Sequence, residues 1–514
     1  MINNILTYLK KSSRQYPNKV CIGDRSGTYT FRQLEQQAMT IGMAVMQTLS
    51  RQYRQPIPVF MEKSIDAVAS FLGIVFSGNH YVPLDIQSPE KRLKQIVETL
   101  NAPCIVTDEK HISHLKEVGL TIPLLSIDSL EEIEIVPNTT FEDQQRRIIS
   151  SDPLYVLFTS GTTGIPKGVV ITHRSVIDYT EWLSDTFYFS ETTVFANQAP
   201  FYFDNSILDI YSTLKHGGTL WLVPEEKYMF PQQLLTYLTE KNVNTIFWVP
   251  SALTLVANSG IFKSYSADAL PPLEKILFCG EVMHNKPLNS WRAAFPSALY
   301  ANLYGPTEIT DVCCYYIIDR PFNDNESLPI GAACENTEIL VLNSENRPVQ
   351  DDEIGELCVR GESLSLGYYG DAQKTNAVFV QNPLNNSYRD LIYRTGDLVR
   401  YNQKNELIFM GRKDYQIKHM GHRIELGEIE SMAASLSLIS TCCALYNEAE
   451  QKIILVCVCS GPGDEKEIYM SLKDLLPIYM VPQRIIITDA LPLNANGKID
   501  RKKVQQELII GEAP

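Results

Sequence analysis

No stretch of this chain approaches the ~18 consecutive apolar residues of a membrane-spanning helix. Its start, MINNILTYLKKSSRQYP, has no long apolar core followed by a small-residue cleavage site. Those absences exclude a spanning segment and a secretory leader, so the expectation is a cytoplasmic protein with no membrane partner. The cysteines supply no framework either: there are 11, an odd number, and none stands in CxxC or Cys/His zinc spacing. Reduced, buried thiols are the reading that follows. Basic charge is scarce, with 45 Lys plus Arg against 60 Asp plus Glu and a formal charge of −15. A general nucleic-acid binder needs the opposite balance to release phosphate counterions. A single nucleotide is not excluded, because local backbone dipoles rather than net charge hold it. There is also no internal repeat and no low-complexity tract.

What remains is an ordinary globular composition, 44% hydrophobic and 20% charged over 514 residues. That length allows several domains and a large core without disulfides or a structural metal. Residues 28–49 read as a short strand followed by an amphipathic helix, with Leu34, Ala38, Ile41, Ala44 and Val45 on one side. Residues 56–78 repeat the pattern. The segments PLYVLFTS (153–160), TVFANQAP (193–200), GTLWLVP (218–224), NTIFWVP (244–250) and KILFCG (275–280) read as buried strands. Several end in Gly, Ser or Pro, the punctuation of the C-terminal edge of a parallel sheet, where ligands bind. From about residue 330 the texture becomes strand-rich, and a compact α/β tail follows. The expected domains are therefore 1–412, a core of layered α/β segments, and 413–514, a small α+β domain.

The run Thr159-Ser160-Gly161-Thr162-Thr163-Gly164-Ile165-Pro166-Lys167-Gly168 directly follows the apolar strand LYVLF. Its glycines let backbone N–H groups approach an anion, and its hydroxyls and ammonium add donors matched to phosphate oxygens. It is not a Walker loop, since Lys167 is followed by Gly168 and no helix pattern opens there.

This run resembles the phosphate loop of the adenylate-forming superfamily, which includes acyl-CoA synthetases, luciferases and nonribosomal peptide synthetase adenylation domains. The resemblance recurs in the family's order up to Asp500. Tyr304-Gly305-Pro306-Thr307-Glu308 resembles its YGPTE motif, and Tyr393-Arg394-Thr395-Gly396-Asp397 its YRTGD motif. Gly411-Arg412-Lys413-Asp414 is similar to the GRxD hinge, Gly421 to Glu430 to the RIELGEIE motif, and Asn494 to Asp500 to NxxGKxD. The resemblance implies an α/β fold: a large N-terminal domain of layered subdomains plus a distorted β-barrel, and a small mobile C-terminal domain pivoting at Asp414. It implies ATP and Mg²⁺, with Glu308 as metal ligand and Lys167, Glu308 and Lys498 as the catalytic set. Lys498 would bridge the substrate carboxylate, the ribose and the α-phosphate. Thr159 to Gly164 would cradle phosphates, with Gly305 and Thr307 beside them. Tyr304 would stack on adenine, Asn302, Gly280 and Glu281 would line its pocket, and Asp397 and Arg412 would meet the ribose.

Phe203-Asp204-Asn205-Ser206 separates the family's branches. In amino-acid-adenylating members the matching Asp pairs with the substrate α-ammonium, a need that follows from the cost of burying an unpaired charge. The alternative reading of Asp204 is a helix N-cap. Asn197 to Phe201, Asp209-Ile210-Tyr211 and Phe278 to Val282 resemble the family of D-alanine–D-alanyl carrier protein ligases. Counting from these anchors gives a substrate pocket of Phe203, Asp204, Asn205, Leu208, Phe247, Leu277, Cys279, Leu303, Asp311, Val312 and Lys498. Asn205 and Asp311 depart from the D-alanine pattern, where small or apolar residues are usual. A second buried carboxylate beside a methyl group is costly, so Asp311 is expected to read a polar or cationic side chain.

The expected reaction joins an amino acid and ATP into aminoacyl-AMP and pyrophosphate. A phosphopantetheine thiol of a carrier protein then takes the aminoacyl group. No carrier motif and no HHxxxDG follow Lys498, so the carrier is expected in trans. The alternatives are an acyl- or aryl-CoA ligase, which would accept free CoA, and a non-catalytic nucleotide-binding protein. An acidic chain meeting acidic carriers needs a local basic patch; Lys413, Lys418, His419, His422, Arg423, Lys498, Arg501, Lys502 and Lys503 are the candidates.

Overall fold

Runs of β-branched and aromatic residues form the strands here, since such side chains pack well on a pleated surface. The computed structural model describes residues 2–130, 146–161, 166–265, 270–324, 326–350, 352–448, 450–461, 463–492 and 499–506. It divides into two compact units: Met1–Ile86, Val97–Leu157 and Gly168–Lys413 form the first, and Gln87–Ile96, Phe158–Lys167 and Asp414–Pro514 the second. A linear cut near Arg412 does not assign the two short early segments to the second unit. Tertiary contact groups them there.

Among the described residues, the first unit is built on a nine-stranded sheet, whose middle runs Leu299–Tyr304, Lys275–Phe278, Thr245–Trp248, Val194–Asn197, Thr219–Leu222 and Val20–Gly23. These neighbours are parallel, and Phe247 faces Leu277, which faces Ala301 in register. The antiparallel Cys314–Ile317 and Ala332–Ala333 close one edge. A second sheet runs Leu124–Ser126, Ile105–Thr107, Pro56–Phe60, His80–Pro83, Pro153–Thr159 and Lys167–Thr172. The strand-rich segment after residue 330 forms an antiparallel half-barrel in which Thr337–Leu342, Gly355–Gly361, Leu391–Tyr401 and Phe379–Gln381 pair in turn, and Leu407–Arg412 pairs with Leu391–Tyr401.

Two of the covering helices show how sequence sets packing. Helix Phe31–Thr48 opens on a capping box, in which Thr30 accepts from the Gln33 N–H and Gln33 from the Thr30 N–H. It crosses helix Ile65–Phe76 where Gly42 meets Gly73. A Cβ on Gly73 would lie 2.7 Å from the Ala38 carbonyl and 2.8 Å from the Ile41 Cβ, so the backbones touch only because glycine is there. Gly73→Ala is expected to destabilise the protein by about 1–3 kcal/mol through overpacking. A urea midpoint unchanged from wild type would refute that.

In the second unit, Gln416–His419 and His422–Glu425 form a two-stranded ribbon leading to helix Leu426–Ala434. Strands Ile439–Asn447, Lys452–Cys459 and Arg484–Ile487 form a sheet with its own apolar core, including Ile429, Leu455 and Ile468. All cysteines are free thiols, ten buried and Cys459 half-buried. No helix among the described residues is long and apolar enough to cross a membrane.

Candidate active site

Strand Val194–Asn197 ends in the turn that carries Phe203-Asp204-Asn205-Ser206, ahead of helix Ser206–His216. The N-cap position of that helix is Asn205, which makes no side-chain cap. The Asp204 carboxylate instead accepts the Thr307 hydroxyl at 2.5 Å and the Asn205 N–H at 3.1 Å. The first of these bonds joins the FD turn to the YGPTE turn, two motifs about a hundred residues apart in sequence. Phe203 is half-buried and its carbonyl accepts the Ser206 hydroxyl at 2.7 Å.

Of the residues expected to wall the substrate pocket, Phe247 and Leu277 are neighbours in strand register. Phe247, Leu277, Leu303 and Val312 are each at most 2% exposed, and with Leu208 and Cys279 they pack in one cluster that also holds Tyr155 and Tyr179. Residue Asp311 is 1% exposed and accepts the Tyr179 hydroxyl at 2.6 Å. Thr310 and Asp311 take consecutive left-handed angles, φ 62° and 75°, a strained turn that places Asp311 inside. A Cβ on Gly305 would lie 2.3 Å from the Asp311 carbonyl oxygen, so glycine is required for this turn to fold back on itself.

Glu308 is fully buried, and the Tyr368 hydroxyl donates to its Oε1 at 2.7 Å. Asp397 receives two donors: the Tyr304 phenol at Oδ2 and, at 2.5 Å on Oδ1, the Arg412 guanidinium. Burial, followed by the Asp397 charge, pushes the Tyr304 phenol well above its ordinary value, so it stays a donor. Asn302 donates its amide to the Pro329 carbonyl at 2.8 Å, and Glu281 accepts the Ser251 N–H at 2.9 Å. Beside Gly280 (φ 103°) lies the amide nitrogen of Asn205, buried and without a hydrogen-bond partner among the described residues.

In the second unit, the described part of the phosphate run is Thr159, Ser160 and Gly161 at its start, with Lys167 opening the next strand; Thr162, Thr163 and Gly164 lie outside the described residues, as does Lys498. The Ser160 hydroxyl donates to the Arg423 carbonyl at 2.8 Å, and the Gly161 N–H donates to Glu428 at 3.1 Å. Glu428 also pairs with Arg92 at 2.5 Å. A carboxylate on the Gly161 N–H shows that this backbone can hold an anion. Asp414 accepts the Gln416 N–H at 3.3 Å.

Each unit, taken by itself, holds groups whose chemistry suits part of a magnesium–nucleotide complex. Thr159 Oγ1 is buried with no partner among the described residues, a hydroxyl ready for a phosphate oxygen. Asp397 already accepts two donors, as two ribose hydroxyls would require. No group of three or more His, Cys, Asp or Glu side chains that could hold a metal exists among the described residues. Mg²⁺ needs none, since it binds one or two carboxylates and completes its shell with phosphates and water; the buried Glu308 fits that part. Asp397→Asn is expected to raise the KM for ATP about tenfold, the weight of one charge-assisted hydrogen bond. Steady-state kinetics with varied ATP checks it, and an unchanged KM would remove Asp397 from the ribose.

Three tyrosines escaped the sequence reading: Tyr155, Tyr179 and Tyr368 have no motif spacing, and only tertiary packing brings them here. The basic-patch candidates shrink. His419 is 3% exposed, and His422 stacks on Tyr479 at 3.5 Å with burial pulling it down to about 3. Both are therefore poor sources of surface charge. Arg501 pairs with Glu430 at 2.6 Å, and Lys413 with Glu356 at 3.1 Å. Lys502 and Lys503 remain exposed.

The chain belongs to the AMP-binding enzyme family, whose profile matches residues 9–369, and the profile of the family's C-terminal domain matches 428–498. It is an AMP-forming ligase with the α/β fold of adenylation domains. Among curated proteins it is 32% identical to the D-alanine–D-alanyl carrier protein ligase of Bacillus licheniformis, over 98% of this chain and 100% of that one. Among solved structures, holo-PA1221, a nonribosomal peptide synthetase protein with adenylation and carrier domains, superposes with TM-score 0.84 at 23% identity, covering 98% of this chain and 84% of that one. The Vibrio cholerae adenylation domain AlmE, solved with glycyl-adenosine-5'-phosphate, also gives 0.84, at 20% identity and covering 99% and 98%.

Proposed function

We propose that this protein activates an amino acid with MgATP, forming aminoacyl-AMP and pyrophosphate, and then passes the aminoacyl group to the phosphopantetheine thiol of a separate carrier protein, releasing AMP. The observation that supports the reading is the Asp204 carboxylate in the FD turn, oriented by the Thr307 hydroxyl and the Asn205 N–H. An acid there suits a substrate that brings its own ammonium. The names of the full-length relatives, ligases that act on an amino acid and a carrier protein, support the same reaction.

The roles of the chain's own residues follow from charge. Asp204 binds the α-ammonium, and Thr307 and the Asn205 N–H orient its carboxylate. Asp397 and Arg412 hold the ribose, Lys167 and the phosphate loop hold the phosphates, and Lys498 meets the charge that grows on the α-phosphoryl group. Glu308 would hold Mg²⁺, whose positive charge would offset that of the phosphates as the substrate carboxylate approaches. ATP–pyrophosphate exchange over an amino-acid panel, run with both enantiomers, tests activation. A holo carrier protein offered beside free CoA tests transfer. Exchange driven by acyl or aryl acids with CoA as the sole acceptor would overturn the proposal.

A further inference from the structure

Residues 198–205 connect strand Val194–Asn197 to helix Ser206–His216, and Asp204 lies near the end of that connection. The helix has no side-chain cap to hold its entry, and the connection is held at its base instead. Asn197, the last residue of the strand, is fully buried and donates its side-chain amide to Asp209 Oδ2 at 3.0 Å. Asp209 stands in the first turn of the helix and is fully buried as well. This bond ties the end of the strand to the beginning of the helix and so closes the loop that carries Asp204. The next residue, Gln198, is held from outside the loop: its main-chain carbonyl accepts the Lys63 ammonium at 3.0 Å. Lys63 directly precedes Ser64, the N-cap of helix Ile65–Phe76, in the same unit.

Lys63 and Asp209 thus grip adjacent residues, and among the described residues they make no ion pair with each other. Asp209 Oδ1 and Asn197 Oδ1 have no hydrogen-bond partner among the described residues. Stability alone would be served as well by a direct ion pair or by apolar side chains of similar volume. What this arrangement supplies is a fixed position for the two ends of one short loop. Position matters at the other end, where Asp204 meets the Thr307 hydroxyl at 2.5 Å, because a misplacement of about 1 Å at a binding group can cost about 10²-fold in rate.

We propose that Lys63 and Asp209 are positioning residues for the Asp204 carboxylate: by holding Gln198 and Asn197 they set the loop that presents Asp204 to the amino acid. The inference rests on the reading of Asp204 given under the proposed function. The test is ATP–pyrophosphate exchange, with the best amino acid of the panel and with ATP varied in turn, on wild type, Lys63→Met, Lys63→Arg, Asp209→Leu and Asp209→Asn. Lys63→Met and Asp209→Leu each remove one hold at nearly constant volume, and each should raise the KM of the amino acid about tenfold. The KM of ATP should stay within about twofold of wild type. Lys63→Arg keeps a cationic donor and Asp209→Asn keeps an acceptor for the Asn197 amide, so both should recover most of the loss. The deciding measurement is the same pair of substitutions in an Asp204→Ala background. Residues that act through Asp204 have nothing left to position there, so neither Lys63→Met nor Asp209→Leu should add more than about twofold to the loss. A loss that multiplies in full with that of Asp204→Ala would overturn the proposal, as would an amino-acid KM unmoved by Lys63→Met. Lys63 is half-buried, so that variant decides the question if Asp209→Leu proves unfolded by circular dichroism. Absence of exchange with every amino acid in wild type is a different failure: it would overturn amino-acid activation itself, and this inference with it.

Discussion

Lys498→Ala is expected to slow aminoacyl-AMP formation by about 10²–10³-fold, the cost typical of removing one preorganised group that meets transition-state charge. Two anions must meet in this half-reaction, a carboxylate and a triphosphate, and the negative charge on the α-phosphoryl group grows as they do. A cation at that centre acts on the transition state more than on bound substrate, so the loss should fall on kcat and leave the KM of the amino acid nearly unchanged. Transfer from chemically supplied aminoacyl-AMP to a holo carrier protein should be largely retained, because that step has no α-phosphoryl attack to stabilise. Pyrophosphate exchange and a single-turnover transfer assay read the halves separately. Equal losses in both would assign Lys498 a structural role.

Asp204→Ala should cost about 10²–10³-fold in kcat/KM for the amino acid, with most of it in KM. Leaving a buried ion without its partner costs about 3–5 kcal/mol, and every 1.4 kcal/mol is about tenfold. Asp204→Asn keeps the shape and the acceptor for the Thr307 hydroxyl, and should lose nearly as much, since charge and not hydrogen-bonding capacity is what an ammonium needs. Thr307→Val should lose far less, because the carboxylate keeps the Asn205 N–H. ATP–pyrophosphate exchange with varied amino acid measures all three. If Asp204→Ala stayed within about threefold of wild type, the counter-charge reading would fall, and with it the argument for an amino acid over another acid.

The distribution of what was legible follows from the range of the interactions involved. Strand Pro153–Thr159 was readable because its apolar run is local, and the loop after it because glycine, hydroxyl and lysine chemistry are concentrated within ten residues. The half-barrel was visible only as a change of texture after residue 330, since antiparallel partners such as Gly355–Gly361 and Leu391–Tyr401 are set by register across the sheet. Asp204 left two readings open on sequence, counter-ion and helix cap. The structure removes the cap, because the carboxylate turns to Thr307 and its neighbour's N–H. His422 had the look of a surface cation in a polar motif, and stacking on Tyr479 together with burial makes it neutral.

The sequence by itself determined the family, the order of the catalytic motifs and the chemical types at the site, because each motif is a short run whose residues act on one ligand group. Only the tertiary structure decided which hydroxyl serves which acid: Tyr179 on Asp311, Tyr368 on Glu308, Tyr304 on Asp397. A tyrosine carries no periodicity or spacing that marks its partner, and the buried carboxylates it serves are placed by backbone turns and strand register far away in the chain.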